Sequence, residues 1–139
     1  MLKQQGAFDS KNKSNWSNFY TESKGGGKFD YSYSVLPLEF FSKGVSSNPL
    51  SKPSSVLFIP GSDNTAQNHM NFGNFLWATS GYTLGFSYST LQIAAHANSL
   101  INSKSNGYKP QWDSADDQKS IIKGANYSER NNLRALIRK

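Results

Sequence analysis

The chain has 139 residues, of which 36% are hydrophobic and 14% aromatic, and it carries a net charge of +6. This length corresponds to a single domain, and the aromatic content excludes a disordered chain. The lack of cysteine excludes disulfides, cysteine-ligated metal centres and a thiol nucleophile. The positive charge favours a polyanionic partner: nucleic acid, an anionic membrane, acidic wall polymers or an acidic protein. No apolar run reaches the roughly 18 residues of a membrane span, so we expect none.

The N-terminal stretch is polar, rich in Lys, Asn and Ser, and lacks the apolar segment of a secretion signal. We expect residues 1–14 to form a leader or linker that precedes one domain over residues 15–139. If this domain is exported, we expect a larger carrier to deliver it.

A short amphipathic helix is predicted over residues 15–24. Trp16, Phe19 and Tyr20 have the i, i+3, i+4 spacing that places apolar side chains on one helical face. Three glycines follow at positions 25–27, and we expect the helix to end there because glycine extends a helix poorly.

Two strands are predicted next. Residues 29–41 alternate aromatic and polar side chains, the period-two pattern of a strand, interrupted at Pro37. Residues 56–59 are Val-Leu-Phe-Ile and predict a short strand, and the Ser-, Pro- and Asn-rich stretch between the two predicts a loop. Together these patterns indicate a small sheet.

The second half of the chain has helical periodicity. One helix is predicted from residue 71, and a second, apolar and Ala-rich, over residues 89–102, which we expect to be the central buried helix. A last helix begins near Asp113, with acids in its first turn and Arg130, Arg134 and Arg138 at its basic end. The predicted fold is therefore a helix-dominated α+β domain with a small sheet, in a lysozyme-like arrangement.

Only two histidines are available for imidazole chemistry. His96 lies on the apolar helix, which favours a packed, hydrogen-bonded side chain over a ligand, whereas His69 lies among Asn, Gln and Met and is expected to be solvated. The sequence contains no HxH, HExxH or calcium-loop pattern and no nucleophile elbow or phosphate-binding loop. We therefore expect no metal and no cofactor.

The few carboxylates are the most informative candidates. Asp30 follows the glycines between large aromatic residues, a setting that favours a raised pKa and a general-acid role, although an exposed acid on a strand is the alternative. Glu22 lies eight residues earlier, and a helix-end Glu, a glycine turn and a strand Asp resemble phage-type lysozymes. Two carboxylates across a sugar cleft are what glycoside hydrolysis requires. A second group, Asp113, Asp116 and Asp117, lies at a helix start, where capping accounts for one or two of them.

Four segments in order resemble the bacterial polymorphic toxin type 44 domain. Gly-Gly-Lys-Phe-Asp-Tyr at 26–31 resembles its Gly-Gly-Pro-Trp-Asp-Tyr-Lys segment, and Phe-Gly-Asn-Phe-Leu-Trp-Ala-Thr-Ser-Gly at 72–81 resembles its Phe-Gly-Asn-Phe/Ile-x-Tyr-Gly-x-x-Gly signature. Residues 91–98 resemble its Leu-rich Ala-Gly-x-Ala-Gln helix, and residues 113–124 its Asp-Asp-Pro-x-Asp-Gln-x-x-Ile-x-x-Gly ending.

The resemblance implies the C-terminal toxin of a secreted Rhs-type effector, delivered into competing bacteria by a larger carrier and neutralised by an immunity protein, which we expect to be acidic. Many family members have His where this chain has Leu76 and Gly where it has Ala78, and their first Asp-Asp pair is Asp113-Ser114 here. The polar positions that the resemblance carries over are Asp30, Asn74, Asp117 and Gln118.

Two activities follow as expectations. The first is a carboxylate-dependent hydrolase of wall glycan that acts in the periplasm. Asp30 and Asp117, or Glu22, would share the acid and base or nucleophile roles, and Asn74 would orient substrate or water. We expect Gln118 to bind substrate and the aromatic side chains to stack on sugar rings: Tyr31, Tyr33, Trp77 and Trp112.

The second activity is a metal-independent RNase acting in the cytoplasm. The basic residues Lys123, Arg130, Arg134 and Arg138 would contact phosphates. Cleavage of RNA commonly needs His or Lys beside the 2′-hydroxyl, and both histidines lie outside the matched positions, so we favour the wall hydrolase. A non-enzymatic membrane toxin is a third alternative, which the lack of a strongly amphipathic helix disfavours.

Overall fold

The computed structural model describes residues 13–40, 56–61, 64–104 and 108–138. Helices dominate this part of the chain and accompany a small antiparallel sheet, which confirms the predicted α+β class. In chain order the elements are α1 (Lys13–Glu22), a π-helical segment (Tyr31–Val35), α2 (Leu36–Phe40), β1 (Val56–Phe58), β2 (Ala66–Asn68), α3 (His69–Thr83), α4 (Tyr88–Ile101), α5 (Ala115–Arg130) and α6 (Leu133–Arg138).

The first helix is confirmed, although α1 begins and ends two residues before the predicted range. Phe19 is its buried anchor, with its ring centroid 5.1 Å from that of Phe29 and 4.9 Å from that of Phe86. Trp16 and Tyr20, on the same helix, remain about half exposed. The apolar stripe of α1 is therefore only partly covered.

The sheet consists of β1 and β2, which pair antiparallel with Val56 opposite Asn68 and Phe58 opposite Ala66. The strand predicted at 56–59 is thus confirmed. Its partner was not predicted, because Ala-Gln-Asn carries none of the β-branched or aromatic residues that are typical of strands.

The strand predicted at 29–41 is wrong. Residues 31–40 are helical, residue 41 lies outside the described residues, and so does the loop predicted at 45–55. The Asp30 carboxylate accepts a hydrogen bond from the backbone N–H of Tyr33 at 3.3 Å and thereby caps the π-helical segment. Because this local side-chain bond starts a helix, Tyr31 and its neighbour Ser32 are both buried, whereas a strand would turn them to opposite faces.

The centre of the fold is α3, which packs closely along α5. Phe75 and Ala78 are almost fully buried, and a Cβ on Gly124 of α5 would overlap the carbonyl oxygen of Phe75. The hydroxyls of Thr83 and Ser128 lie 2.7 Å apart and join the same two helices further along. Small residues on α5 therefore allow the two backbones to approach.

The prediction that residues 89–102 form the central buried helix is wrong in its burial, although the helix itself is confirmed as α4. Its buried side chains are Leu91 and Ser99, while Ile93 is 67% and Ile101 is 75% exposed. Apolar composition alone overestimated the burial, because α4 packs against α5 and α3 on one side and leaves its other side at the surface. Within the described ranges, no helix combines the length and the apolar character needed to cross a membrane.

The last predicted helix is two helices. Ser114 caps α5 by accepting from the N–H of Asp117, and α5 ends at Arg130 because Asn132 adopts a left-handed backbone with φ of 50°. The side chain of Arg134 on α6 then points back and donates to the carbonyl oxygens of Tyr82 and Phe86. The basic end of this region therefore fastens α6 to the turn between α3 and α4.

Candidate functional site

A cavity of about 700 Å³, hereafter the central cavity, opens among the described residues. Its walls are α1, the glycine turn, the π-helical segment, α3, α4 and the irregular segment 108–114 that leads into α5. Carboxylates, amides and aromatic rings line it together, and Lys24 is the cation among its described lining residues. This mixture of hydrogen-bonding groups and flat apolar surfaces suits a polar ligand with apolar faces, such as a sugar.

Asn74 and Asp117, which the sequence singled out separately, meet at the central cavity. The Asn74 Nδ2 amide on α3 donates to Asp117 Oδ1 on α5 at 2.7 Å. The hydroxyl of Ser114 donates to the other oxygen, Oδ2, also at 2.7 Å. The Asp117 carboxylate is thus held in one orientation by two donors, and each oxygen keeps a lone pair for a ligand.

Asp113 is a second carboxylate at the central cavity and lies close enough to Asp117 for their charges to interact. Its Oδ1 accepts from the Ser99 hydroxyl on α4 at 2.9 Å, and its Oδ2 accepts from the Gln118 amide on α5 at 2.7 Å. Burial raises the pKa of the Asp113 carboxyl, and the hydrogen bonds from Gln118 and Ser99 oppose that rise. The net result is a pKa for Asp113 above the ordinary value of an aspartate.

Gln118, which the sequence predicted to bind substrate, is not among the residues that line the central cavity. Its amide donates to Asp113 Oδ2 at 2.7 Å, and more weakly to the Gln92 carbonyl oxygen at 3.4 Å. Gln118 thus orients a cavity carboxylate, and its role in substrate binding stays a prediction.

The predicted stacking residues divide into two kinds. Trp112 is 71% exposed at the cavity rim, and Trp77 presents a half-buried ring whose Nε1 donates to the Ser23 hydroxyl at 2.8 Å. Tyr33 is also half-buried and lines the cavity. Tyr31 also lines the cavity, but it is 7% exposed and its hydroxyl lies 2.7 Å from that of Ser80, so most of its ring packs in the core; its stacking on substrate stays a prediction.

Asp30 also lines the central cavity, but local donors occupy its carboxylate. Oδ2 accepts from the Gly26 N–H at 2.9 Å and from the Ser34 hydroxyl at 2.8 Å, while Oδ1 accepts from the Tyr33 N–H. These bonds span the glycine turn and the start of the π-helical segment. The arrangement favours a structural cap over the predicted general acid.

Glu22 is placed outside the lining of the central cavity. Its Oε2 accepts from the Lys28 N–H at 3.0 Å and so closes the glycine turn. The lysozyme-like pairing of Glu22 with Asp30 therefore does not form across a cleft; both acids brace the same turn.

The two histidines behave differently from each other. His96 is half-buried and hydrogen-bonded as predicted, since its Nδ1 accepts from the backbone N–H of Asp113 at 3.2 Å. The prediction that His69 is solvated is wrong: it is 2% exposed, neither ring nitrogen has a hydrogen-bond partner, and burial lowers its pKa.

Within the described ranges, no group of three or more His, Asp or Glu side chains is arranged to hold a metal ion.

Asp113 is a cavity carboxylate that the sequence-based candidate site did not include. Its position before the cap residue Ser114 was a signal, because a capping role at this helix start is filled by Ser114 itself. Asp113 precedes the capping contact between Ser114 and Asp117, so its carboxylate does not cap the helix. It accepts instead from Gln118, which lies one turn into α5. The sequence interpretation ascribed one or two of the three acids at this helix start to capping and did not separate Asp113 from Asp116 and Asp117.

Two neighbouring carboxylates with different surroundings can divide acid and base roles. A raised pKa suits a carboxyl to the acid role, beside a second carboxylate that acts as base or nucleophile. Burial raises the pKa of Asp113, and Asp117 is the neighbouring carboxylate that Asn74 and Ser114 orient. Comparisons with protein-family models, curated proteins and solved structures found no match to this chain.

Proposed function

We propose that this domain is a carboxylate-dependent hydrolase of the glycan strands of bacterial peptidoglycan, with Asp113 and Asp117 as its catalytic pair. The observation that carries the proposal is the pair itself: two half-buried carboxylates, each held by two side-chain donors, at one aromatic-lined cavity. Retaining and inverting glycosidases both need such a pair beside the scissile bond.

In this proposal the protonated Asp113 is the general acid. Its proton moves to the glycosidic oxygen while the bond from that oxygen to the anomeric carbon breaks, and the leaving sugar departs as an alcohol. The Asp117 carboxylate acts at the anomeric carbon. It either takes a proton from the water that attacks this carbon, or attacks the carbon itself to form a glycosyl ester that water then hydrolyses. Asn74 fixes the orientation of Asp117 in both cases.

The aromatic surfaces supply binding. Trp112 and Trp77 at the central cavity offer flat faces to sugar rings, and Asn98 and Gln111 offer amides to hydroxyl or acetamido groups. Burying apolar area contributes roughly 25 cal/mol per Å², so two ring faces supply a substantial part of the affinity for a sugar.

The four-segment resemblance to the type 44 toxin domain supports a proposal about how the domain is delivered, where it acts and what inhibits it. The domain would be carried by a larger secreted protein into a competing cell, act in the periplasm, and be neutralised by an acidic immunity protein. The net charge of +6 suits both an anionic wall and an acidic inhibitor.

The RNase alternative has less support. Arg134 donates to the backbone carbonyl oxygens of Tyr82 and Phe86, and the Lys123 ammonium donates to the Thr65 hydroxyl at 2.8 Å. Two of the four basic side chains expected to contact phosphates are therefore engaged in holding the fold.

The test is expression of the domain with and without a periplasmic signal in a susceptible bacterium. We expect rounding or lysis after export, and loss of that effect in Asp113→Asn and Asp117→Asn. Asp116→Asn is the matched control, because Asp116 is exposed in the same turn and pairs with Lys119 on the surface. Toxicity confined to the cytoplasm, with degraded RNA, would favour the RNase instead.

A further inference from the structure

We infer that His96 is a positioning residue that holds Asp113, and the rim residue Trp112 beside it, in place at the central cavity. The inference rests on the proposed function, since it takes Asp113 to be the general acid. It concerns a side chain on α4 that does not itself line the cavity.

The first observation is the contact between His96 and the backbone of Asp113. The Asp113 N–H donates to Nδ1 of His96 at 3.2 Å, so the ring is the acceptor at this nitrogen. A neutral imidazole with an accepting Nδ1 carries its proton on Nε2. His96 therefore fixes the main chain at residue 113 through a nitrogen that must remain unprotonated.

The second observation is that the side chain of Asp113 is held from the same helix. Ser99 follows His96 by three residues and thus lies on the same side of α4, where its hydroxyl donates to Asp113 Oδ1 at 2.9 Å. His96 holds the main chain of residue 113 and Ser99 holds its carboxylate. Segment 108–114 has no helix or strand of its own, so these contacts are part of what fixes its path.

The third observation is the contact between His96 and Trp112. The two ring centroids are 5.4 Å apart with an interplanar angle of 84°, an edge-to-face arrangement. Trp112 is 71% exposed at the cavity rim, and its ring contact with His96 lies on the part of it that packs against the protein. One imidazole thus couples the proposed acid to a neighbouring sugar-stacking surface.

The arrangement matters because a general acid works only when its proton lies in line with the leaving oxygen. A displacement of about 1 Å in a catalytic group can cost roughly 100-fold in rate. If His96 sets the position of Asp113, its loss lowers kcat while leaving binding at the Trp77 side of the cavity intact. If His96 only fills space, any side chain of similar size at position 96 should leave kcat unchanged.

The experiment compares His96→Asn with His96→Leu. The Asn Oδ1 can take the place of Nδ1 as acceptor, whereas Leu keeps bulk and removes the acceptor. With soluble peptidoglycan glycan strands, we expect kcat to fall about 10- to 100-fold in His96→Leu and to recover to within about threefold of wild type in His96→Asn. Trp112→Leu is the matched control for the ring contact, and we expect it to raise KM more than it lowers kcat.

A second measurement is independent of catalysis. Hydrogen exchange of the Asp113 amide, followed by NMR on the free protein, should be slow in wild type and in His96→Asn and at least about tenfold faster in His96→Leu. Unchanged exchange and unchanged kcat in His96→Leu, or equal losses in both variants, would overturn the inference. If wild type cleaves no glycan, the proposed function fails, and the amide exchange still decides whether His96 holds residue 113.

Discussion

The Nδ2 amide of Asn74 donates to Oδ1 of Asp117 at 2.7 Å and so joins the middle of α3 to the first turn of α5 at the central cavity. The bond orients a carboxylate that Ser114 also holds. Because a hydrogen bond to a charged group contributes more than one between neutral groups, this contact serves both the packing of two helices and the geometry of the site.

We expect Asn74→Leu to lower both stability and activity. Leucine has a similar size but leaves Asp117 Oδ1 without its donor, which should cost about 1–3 kcal/mol of unfolding free energy in urea denaturation. Activity measured on the folded protein should fall further than this stability loss explains, because the carboxylate loses its orientation. Asn71→Leu, one turn earlier on α3 and outside the cavity lining, is the control; equal losses in both variants would remove Asn74 from the site.

The contact between α3 and α5 predicts that Gly124→Ala is strongly destabilising. The added Cβ would overlap the carbonyl oxygen of Phe75 and press on Ala78, so the helices must separate. Overpacking of this kind costs about 1–3 kcal/mol or more in the unfolding free energy. Gly25→Ala is the control, since a Cβ there meets no atom within 4 Å. A Gly124→Ala protein as stable as wild type would show that the helices pack less closely than described.

The structural role assigned to Asp30 predicts a loss of stability rather than of chemistry. In Asp30→Asn an amide NH₂ faces donors that now bind a carboxylate oxygen, including the Gly26 N–H. The buried mismatch should cost about 1–3 kcal/mol of unfolding free energy. Activity per folded molecule should stay near that of wild type. An inactive variant with an unchanged thermal midpoint would return Asp30 to the catalytic set.

The buried His69 predicts an acid-sensitive fold. Burial lowers the pKa of His69 in the folded state, so at mildly acidic pH the unfolded chain binds a proton at this residue more readily than the folded chain does. The neutral ring thus contributes stability that is present above the ordinary pKa near 6.5 and is lost as the pH falls below it. His69→Leu should remove this pH dependence from the unfolding free energy. Identical pH dependence between pH 5 and 7, roughly the range over which unperturbed histidine titrates, in the variant and wild type would contradict the assignment.

Much of the fold could be predicted from periodicity. The helices α1, α3, α4 and the start of α5 have apolar spacings or caps that identify them locally. The π-helical segment could not be predicted in this way, because alternating Tyr and Ser at 31–34 fits a strand as well as a helix. The cap formed by Asp30 favours the helix. The burial of α4 and of His69 depends on which neighbour covers each face, and a single sequence does not carry that information.

The candidate site was predicted in part. Asn74 and Asp117 were identified as polar positions that the family resemblance carries over, and they do meet. Asp113 was missed because its partners Ser99 and Gln118 lie on two helices, and only the tertiary structure brings them to one carboxylate. Glu22 was placed in the site for the converse reason, since a local pattern does not reveal that the Lys28 N–H occupies its carboxylate.

The most direct test of the central claim is the release of reducing ends from purified peptidoglycan sacculi by the isolated domain. We expect wild type and Asp116→Asn to release them, and Asp113→Asn and Asp117→Asn to lose at least about 100-fold in rate, the order of a general acid–base contribution, with thermal midpoints close to that of wild type. Intact sacculi after treatment with the folded wild-type protein, or undiminished release by Asp113→Asn and Asp117→Asn, would contradict the assignment of these two carboxylates as the catalytic pair of a wall glycan hydrolase.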